Sequence, residues 1–448
     1  MRRGFVALLT AEAVSMIGTR MSAVALPWFV LVTTGSAART GLVAFAETLP
    51  YVLACALGGP LLDRIGARRV SLSADAVSAL AVLAIPVMHL RGLPFSVLVA
   101  LVVAIGALRG FGDTAKRVVF PQTVAAAGVE MTRATGLHDG VARLATLLGA
   151  PLAGVLIWRF EAPTVLVVDA ATFAFAAAAV ALLVPTAGST AGGAADTLPR
   201  ERYLRALRGG LQFLHRDRVT AGIVLMLFFT NLFDAAYTSV YLPMWAREIA
   251  DSPLALGAVM AAFALGAVLG NVAFTAVAPR LSRFWTFAVG FLIGGAPRFF
   301  VAGLADDAWV LYAVSFVAGV GIAAINPILG AVSYERVPEP LLARVQGLTV
   351  AAAWAGIPLG ALIGGWTAGS MGLAAALVLL GALYLVVTLV PFVQPRWRDL
   401  DAGRLAPDGR GGHRQHEARG QDGEGGRLPS RPSRQLVHNG SRRSEVGG

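Results

Sequence analysis

Lysine is almost missing from this chain: Lys116 stands alone, and arginine supplies the other cationic side chains. Cysteine occurs once, as Cys55, which excludes a disulfide framework or a cysteine-built metal site. Charge of either sign is scarce, at 14% Asp, Glu, Lys and Arg, against about 25% in soluble domains. At 448 residues the length alone would allow two or three soluble domains, and the shortage of charge argues against them. No Gly-rich Walker A loop is present, so ATP is not the energy source. The lone cysteine and the scattered histidines offer no nucleophile–base pair. His413, His416 and His438 lie near the end of the chain without a ligand cluster and read as solvent-exposed, so no metal or other cofactor is expected.

What the chain has instead is long apolar runs, with 56% hydrophobic residues and a mean hydropathy of +0.69. Blocks at 5–33, 40–62, 70–90, 94–114, 135–157 and 163–184 each reach the roughly 20 residues that a membrane-spanning helix needs. A second set follows at 219–243, 254–278, 284–304, 308–331, 345–368 and 371–393. The expected fold class is an all-α polytopic membrane protein with twelve transmembrane helices. The first block is too long for a signal-peptide core and reads as a retained span. Connections on the side of the N-terminus carry eighteen basic residues, among them Arg2, Arg64, Arg117, Arg280 and Arg336, against four (Arg39, Arg91, Arg159, Arg247) on the other. By the positive-inside rule both termini are expected in the cytoplasm. The net charge of +11 then faces the inner leaflet and its lipids, and no nucleic-acid partner is expected. Arginine bias together with alanine-rich spans points to a GC-rich bacterial coding sequence, hence to a bacterial inner membrane.

The longest internal polar stretch, 185–218, opens as a Gly/Ala/Thr linker. Leu204, Leu207, Leu211 and Leu214 then recur with arginines between them, which predicts an amphipathic helix on the cytoplasmic leaflet. This linker divides the chain into a six-helix bundle at 1–184 and another at 219–393. Residues 394–448 are polar and are expected to form a disordered tail. The halves repeat weakly. "GAPLAG" at 149–154 is matched to "GIPLGA" at 356–361, "RATGL" at 133–137 to "RVQGL" at 344–348, and "ALPW" at 25–28 to "YLPMW" at 241–245. Gly149, Pro151, Gly154, Gly356, Pro358 and Gly360 are accordingly candidate packing or hinge positions. Parallel repeats of six spans are an architecture of secondary transporters, with the substrate between the halves.

In the turn after the second span, "GGPLLDRIGARRV" at 58–70 concentrates charge and glycine. Gly59, Asp63, Arg64, Gly66, Arg68 and Arg69 match in order the loop signature of the major facilitator superfamily, which this chain resembles over about residues 4–393. Glycines let a short turn reverse; Asp63 can sit at a positive helix N-terminus, and the arginines can pair with acids or lipid phosphates. Arginines alone would serve topology, but Asp63 and the spaced glycines ask for more. The resemblance implies a latch that holds the cytoplasmic side shut, with Asp113 as a partner for Arg68 or Arg69. "SMIGTRMSAVALPWFVLVTTGS" and "VVDAATFAFA" resemble the drug-exporter branches, including macrolide efflux proteins. Thr19 departs from them, and the span-5 antiporter pattern survives only as Gly149, Pro151 and Gly154 with Ala150 inserted.

An ionisable group inside the bilayer costs at least about 2.5–3.5 kcal/mol at mid-depth, so each needs a partner or a task. Glu47, Asp234, Arg20 and Arg109 are the proton-coupling candidates, Arg109 by its resemblance to the span-4 arginine of antiporters. Glu47 could instead be held by Arg20, and Arg109–Asp113 and Asp139–Arg143 are spaced to pair along one helix face. Asp75 and Asp169 are expected to bond neighbouring helices. In span 7, Asn231, Asp234, Tyr237 (or Thr238), Tyr241 and Trp245 fall at steps of three and four. Such a stripe suits an amphiphilic or cationic ligand, with Asn326 and Trp354 as further cavity candidates. Trp245, Trp285, Trp309 and Trp366 are also read as an interfacial aromatic belt. The expected function is proton-coupled export of a small amphiphilic or drug-like molecule by a monomer working through alternating access. A facilitator or importer of a sugar-like solute is the alternative. A multi-span membrane enzyme is a remote third reading, since it would need a catalytic His/Asp or Asp-rich cluster that the sequence lacks.

Overall fold

The helices of this protein are as apolar as the sequence requires, and they are stopped by short caps and turn glycines. A computed structural model describes residues 2–58, 62, 64–183, 212–305, 307–337 and 339–401. Among them twelve helices are long and apolar enough to cross a membrane. They are α1 (Gly4–Thr34), α2 (Ala37–Leu57), α3 (Ala67–His89), α4 (Phe95–Ala127), α5 (Arg133–Phe160) and α6 (Ala162–Leu183). The second six are α7 (Arg218–Glu248), α8 (Pro253–Arg280), α9 (Arg283–Leu304), α10 (Ala308–Arg336), α11 (Val345–Met371) and α12 (Leu373–Val393). Ser36, Ser252, Ser282 and Asp307 cap the starts of α2, α8, α9 and α10 by accepting from backbone N–H groups, as short polar side chains do at helix N-termini. The chain is a multi-pass membrane protein. The α4 helix runs thirteen residues past the expected edge at 114, because apolar length sets the minimum for a span and not its end.

Within the first six helices, α1 packs on α5 and α6, while α3 and α4 pack on each other and on α6 and α2 respectively. Within the second six, α8 packs on α10, α9 on α12, and α7 on α11. Contact between the two sets runs mainly through α2 with α11 and α5 with α8. It concentrates at the end opposite the basic turns. A Cβ on Gly41 would strike the backbone of Ala361 and Gly365, and one on Gly154 would come within 3.1 Å of the Pro253 carbonyl and 3.2 Å of Gly257 Cα. Val30, Leu31, Tyr241, Trp245, Leu256 and Ala368 share one core there, and Arg247 Nη1 donates to the Leu31 carbonyl at 2.6 Å. Toward the basic end, Gly136 and Gly140 on α5 and Gly347 on α11 have nothing within 4 Å of where a Cβ would be. Leu137, Leu144 and Val350 are exposed beside them. The two sets are packed at one end and apart at the other.

These contacts also correct the repeat register. Gly41 and Gly257 play the same part 216 residues apart, the spacing of Pro27 and Pro243. Gly154 and Gly365 play the same part 211 residues apart, the spacing of "RATGL" and "RVQGL". "GAPLAG" at 149–154 therefore corresponds to "GALIGG" at 360–365, one turn beyond the expected "GIPLGA". A slip of four residues keeps a helix face nearly unchanged, so small residues match in either register. Gly356 and Gly360 instead let α11 lie on α7, where a Cβ would strike the carbonyls of Phe228 and Leu232, and Pro358 is buried on the same helix. In α5, Gly149 meets the stem of Arg20, and Pro151 lies against Gly257.

The expected disordered tail begins too early. Pro395–Leu400 forms a short 3-10 helix, with Trp397 3% and Leu400 1% exposed. Trp397 stacks on Phe287 at 5.7 Å. Asp401 accepts from Ser282 Oγ and the Arg283 N–H, each at 2.7 Å, at the start of α9. A polar average over 55 residues hid two apolar side chains and one cap near its start. Most of the expected amphipathic helix in the linker, and the tail from 402 on, lie outside the described residues. Trp245 is buried and does not belong to an aromatic belt, whereas Trp285, Trp309 and Trp366 are exposed.

Candidate functional site

Arg20 on α1, Tyr51 on α2, Arg109 on α4 and Asp234 on α7 each stand fourteen residues from the end of their helix opposite the basic turns. At about 1.5 Å per residue that is a common depth of about 21 Å, beyond the packed end. This layer holds the charges. Arg109 Nη1 donates to Glu47 Oε1 at 2.5 Å, joining α4 to α2. A Cβ on Gly106 would strike the Glu47 carbonyl, so the bare backbone of α4 is what lets the two helices approach closely enough for that pair. Asp113, one turn along α4, accepts from the Tyr51 hydroxyl at 3.1 Å. Across the gap, the Tyr51 ring stacks on Trp354 of α11 with centroids 6.5 Å apart.

The second charge pair joins Arg298 of α9 to Asp234 of α7. Arg298 is 5% exposed and is boxed by the rings of Tyr237 at 5.1 Å, Phe263 at 5.2 Å and Phe299 at 5.8 Å. Three aromatic faces and one carboxylate together offset the loss of water around a guanidinium. A break in α9 at Gly295 makes room, since a Cβ there would enter the ring of Tyr384. The Asp234 side chain remains 30% exposed and is the member of the pair that solvent can reach.

Several expected pairings change. Glu47 is held by Arg109 and not by Arg20. Arg109 consequently does not pair with Asp113. Asp139 lies 4.0 Å from His138, and both Asp139 and Arg143 are exposed. Asp113 does not hold Arg68, whose guanidinium donates to the carbonyls of Val180 and Ala181 at 3.2 and 3.0 Å. There it caps the last turn of α6, where a cation suits the helix dipole. Arg64 and Arg69 are exposed, Gly66 has φ +91°, and Gly59 and Asp63 lie outside the described residues.

The stripe on α7 is broken by its own geometry. Tyr237–Tyr241 form a π-turn, whose extra residue per turn rotates everything beyond it. Tyr237 and Tyr241 are both buried, the latter sharing a hydrogen bond of 2.6 Å with Thr367, and Thr238 is the exposed member. Neither tyrosine lines the gap. Asn231 donates to the Ala353 carbonyl at 3.1 Å, tying α7 to α11 beside Trp354. Asn326 is exposed just after a break in α10.

Asp169 accepts from Ser22 at 2.5 Å and Asp75 from Lys116 at 2.8 Å, the helix-to-helix roles expected of them. Glu12, not among the charges expected to matter, is 4% exposed and faces His138 at 3.3 Å. Two ionisable residues inside apolar blocks were the available signal. At the basic end, Asp217 accepts from Arg336 Nη2 at 2.8 Å and Thr220 at 2.5 Å. Partial burial raises its carboxyl, but these bonds outweigh that and hold it below the ordinary carboxylate value.

A family model described as transmembrane secretion effector matches residues 1–415. The multidrug efflux pump Tap of Mycobacterium tuberculosis is 30% identical over 413 residues, covering 89% of this chain and 94% of Tap. The pump of the same name from Mycolicibacterium fortuitum is 29% identical, covering 88% and 95%. The crystal structure of the nucleoside transporter NupG superposes with a TM-score of 0.70 at 14% identity, covering 87% of this chain and 98% of NupG. A bacterial homologue of the human lysosomal transporter Spinster, in an inward-facing and occupied conformation, gives 0.65 at 14%, covering 90% and 98%.

Proposed function

This chain belongs to the transmembrane secretion effectors of the major facilitator superfamily, and from that premise we propose that it exports a small amphiphilic molecule by proton-coupled alternating access. The observation that carries the reading is the asymmetry of the gap between α1–α6 and α7–α12. It is shut by glycine-to-backbone contacts at one end and open at the other, with a layer of ionisable groups midway. The likeness to pumps named for multidrug efflux supports export. With the basic turns in the cytoplasm, the conformation is inward-open, ready to take substrate from the cytoplasm or the inner leaflet of a bacterial inner membrane. The protein acts as a monomer, with its loop arginines on lipid phosphates.

Glu47 and Asp234 are the proton carriers. Each is paired to an arginine, yet each side chain stays partly exposed. A carboxylate in a dry site favours its protonated form, and rehydration favours release. Closing the basic end and opening the other would carry substrate out, and a proton loaded there would move inward on the return step that reopens the basic end. Asp63 and Arg68 at the α2–α3 turn form the latch that selects between the two states. The test is compound accumulation in inverted membrane vesicles with an imposed pH gradient. Uphill accumulation that needs an acidic lumen and disappears on dissipating the gradient is expected. Accumulation that persists after dissipation, or flux that only equilibrates the compound, contradicts proton-coupled export.

A further inference from the structure

An arginine cannot shed its charge at any accessible pH, so each one at mid-membrane depth must be answered by an anion or by water. Three arginines on α1, α4 and α9 belong to the charged layer, and two of them have their own carboxylates: Arg109 has Glu47 and Arg298 has Asp234. The third is Arg20, exposed at the depth of the charged layer. Among the described residues it makes no hydrogen bond and no ion pair. Its stem lies against the bare backbone of Gly149, where any Cβ would collide with it. Its field is shared with Arg109, Tyr51 and Asp113, groups that face the gap from α4 and α2. Glu47 is already engaged by Arg109, and Asp113 accepts from Tyr51.

We propose that Arg20 is a substrate-anion site: the transported amphiphile carries a carboxylate or phosphate that binds the Arg20 guanidinium, while its apolar body lies on the Tyr51–Trp354 aromatic pair. This rests on the export reading above and names its substrate class. When the gap closes, water leaves the layer and an unanswered guanidinium becomes costly. A ligand anion removes that cost and gains charge-assisted, bidentate hydrogen bonds. The aromatic pair bridges the two halves beside it, so one molecule spanning Arg20 and Trp354 would contact both halves at once.

A matched set of three probes separates charge from shape: 1-pyrenebutyrate, its uncharged amide, and 1-pyrenebutylamine. Binding is measured on the full-length protein in lipid nanodiscs, against empty nanodiscs. The carboxylate is expected to bind the wild type at least about tenfold more tightly than the amide. Arg20→Gln should remove that preference while leaving amide affinity and thermal midpoint unchanged, Arg20→Lys should keep part of it, and Arg20→Glu should favour the amine. Equal affinity for all three probes in the wild type, preference for the amine, or no saturable binding overturns the proposal. So does an Arg20→Gln variant that loses all three probes equally along with thermal stability, since the arginine would then be structural. The pH-driven vesicle assay decides export separately, so uphill transport without carboxylate preference would sink the anion site and leave the export reading standing.

Discussion

Arg298 is enclosed by three aromatic rings and one carboxylate, so removing any one partner has a defined consequence. Arg298→Leu strands the Asp234 carboxylate, and breaking a buried pair costs about 3–5 kcal/mol. A lowered thermal midpoint should report this, and Arg298→Gln with Asp234→Asn should recover most of it because no lone charge remains. Asp234→Asn and Glu47→Gln should each end uphill, pH-driven transport while downhill exchange survives, and each should also lower the thermal midpoint by leaving Arg298 or Arg109 unpaired. Wild-type uphill rates in both variants would remove both acids from the coupling. Asp63→Ala should nearly abolish transport with expression and insertion normal, because it removes the proposed latch and no part of an apolar block; transport at the wild-type rate would rule out the latch. Which residues carry charge inside the membrane was legible in the sequence. Who pairs with whom was not, because Glu47 could reach for α1 or α4, and only the close approach permitted by Gly106 brings Arg109 to it.

The segment Pro395–Leu400 shows how much a short element can weigh. Trp397 fills space beside Gly222 and stacks on Phe287, and Asp401 sits at the start of α9. Truncation after Gly403 should therefore leave thermal stability and transport close to wild type. Truncation after Pro395, or Trp397→Ala, should cost about 3–5 kcal/mol through the cavity left in that core. Equal thermal midpoints for the two truncations would show that the packed segment contributes nothing. Hydrophobic length made all twelve spans readable, since a bilayer sets a minimum that the composition must meet. The π-turn at Tyr237–Tyr241 was not readable: its one-residue excess is a backbone event, and the side chains around it still look like a regular stripe. Thr238, not Tyr237 or Tyr241, is the exposed residue on that stretch of α7.

At the scale of the molecule, the same contact occurs twice. Gly41 of α2 lies on Gly365 of α11, and Gly257 of α8 on Gly154 of α5. This near-symmetric pair of close backbone approaches joins the two sets of helices over one surface, and Gly154 and Gly365 stand at the same spacing as "RATGL" and "RVQGL". The repeat was visible in the sequence, but its register was fixed only by these contacts. The central claim is that this surface opens when the basic end closes. Spin-label distances test it most directly, in a Cys55→Ser background, with one label pair at Gly136 and Gly347 and another at Arg39 and Ser370. The first pair reports the open basic end, where both glycines face free space, and the second reports the packed end. On adding a transported compound at acid pH, the Gly136–Gly347 distance is expected to shorten while the Arg39–Ser370 distance lengthens. Distances that stay fixed in both pairs, or that move in the same direction, would contradict alternating access in this protein.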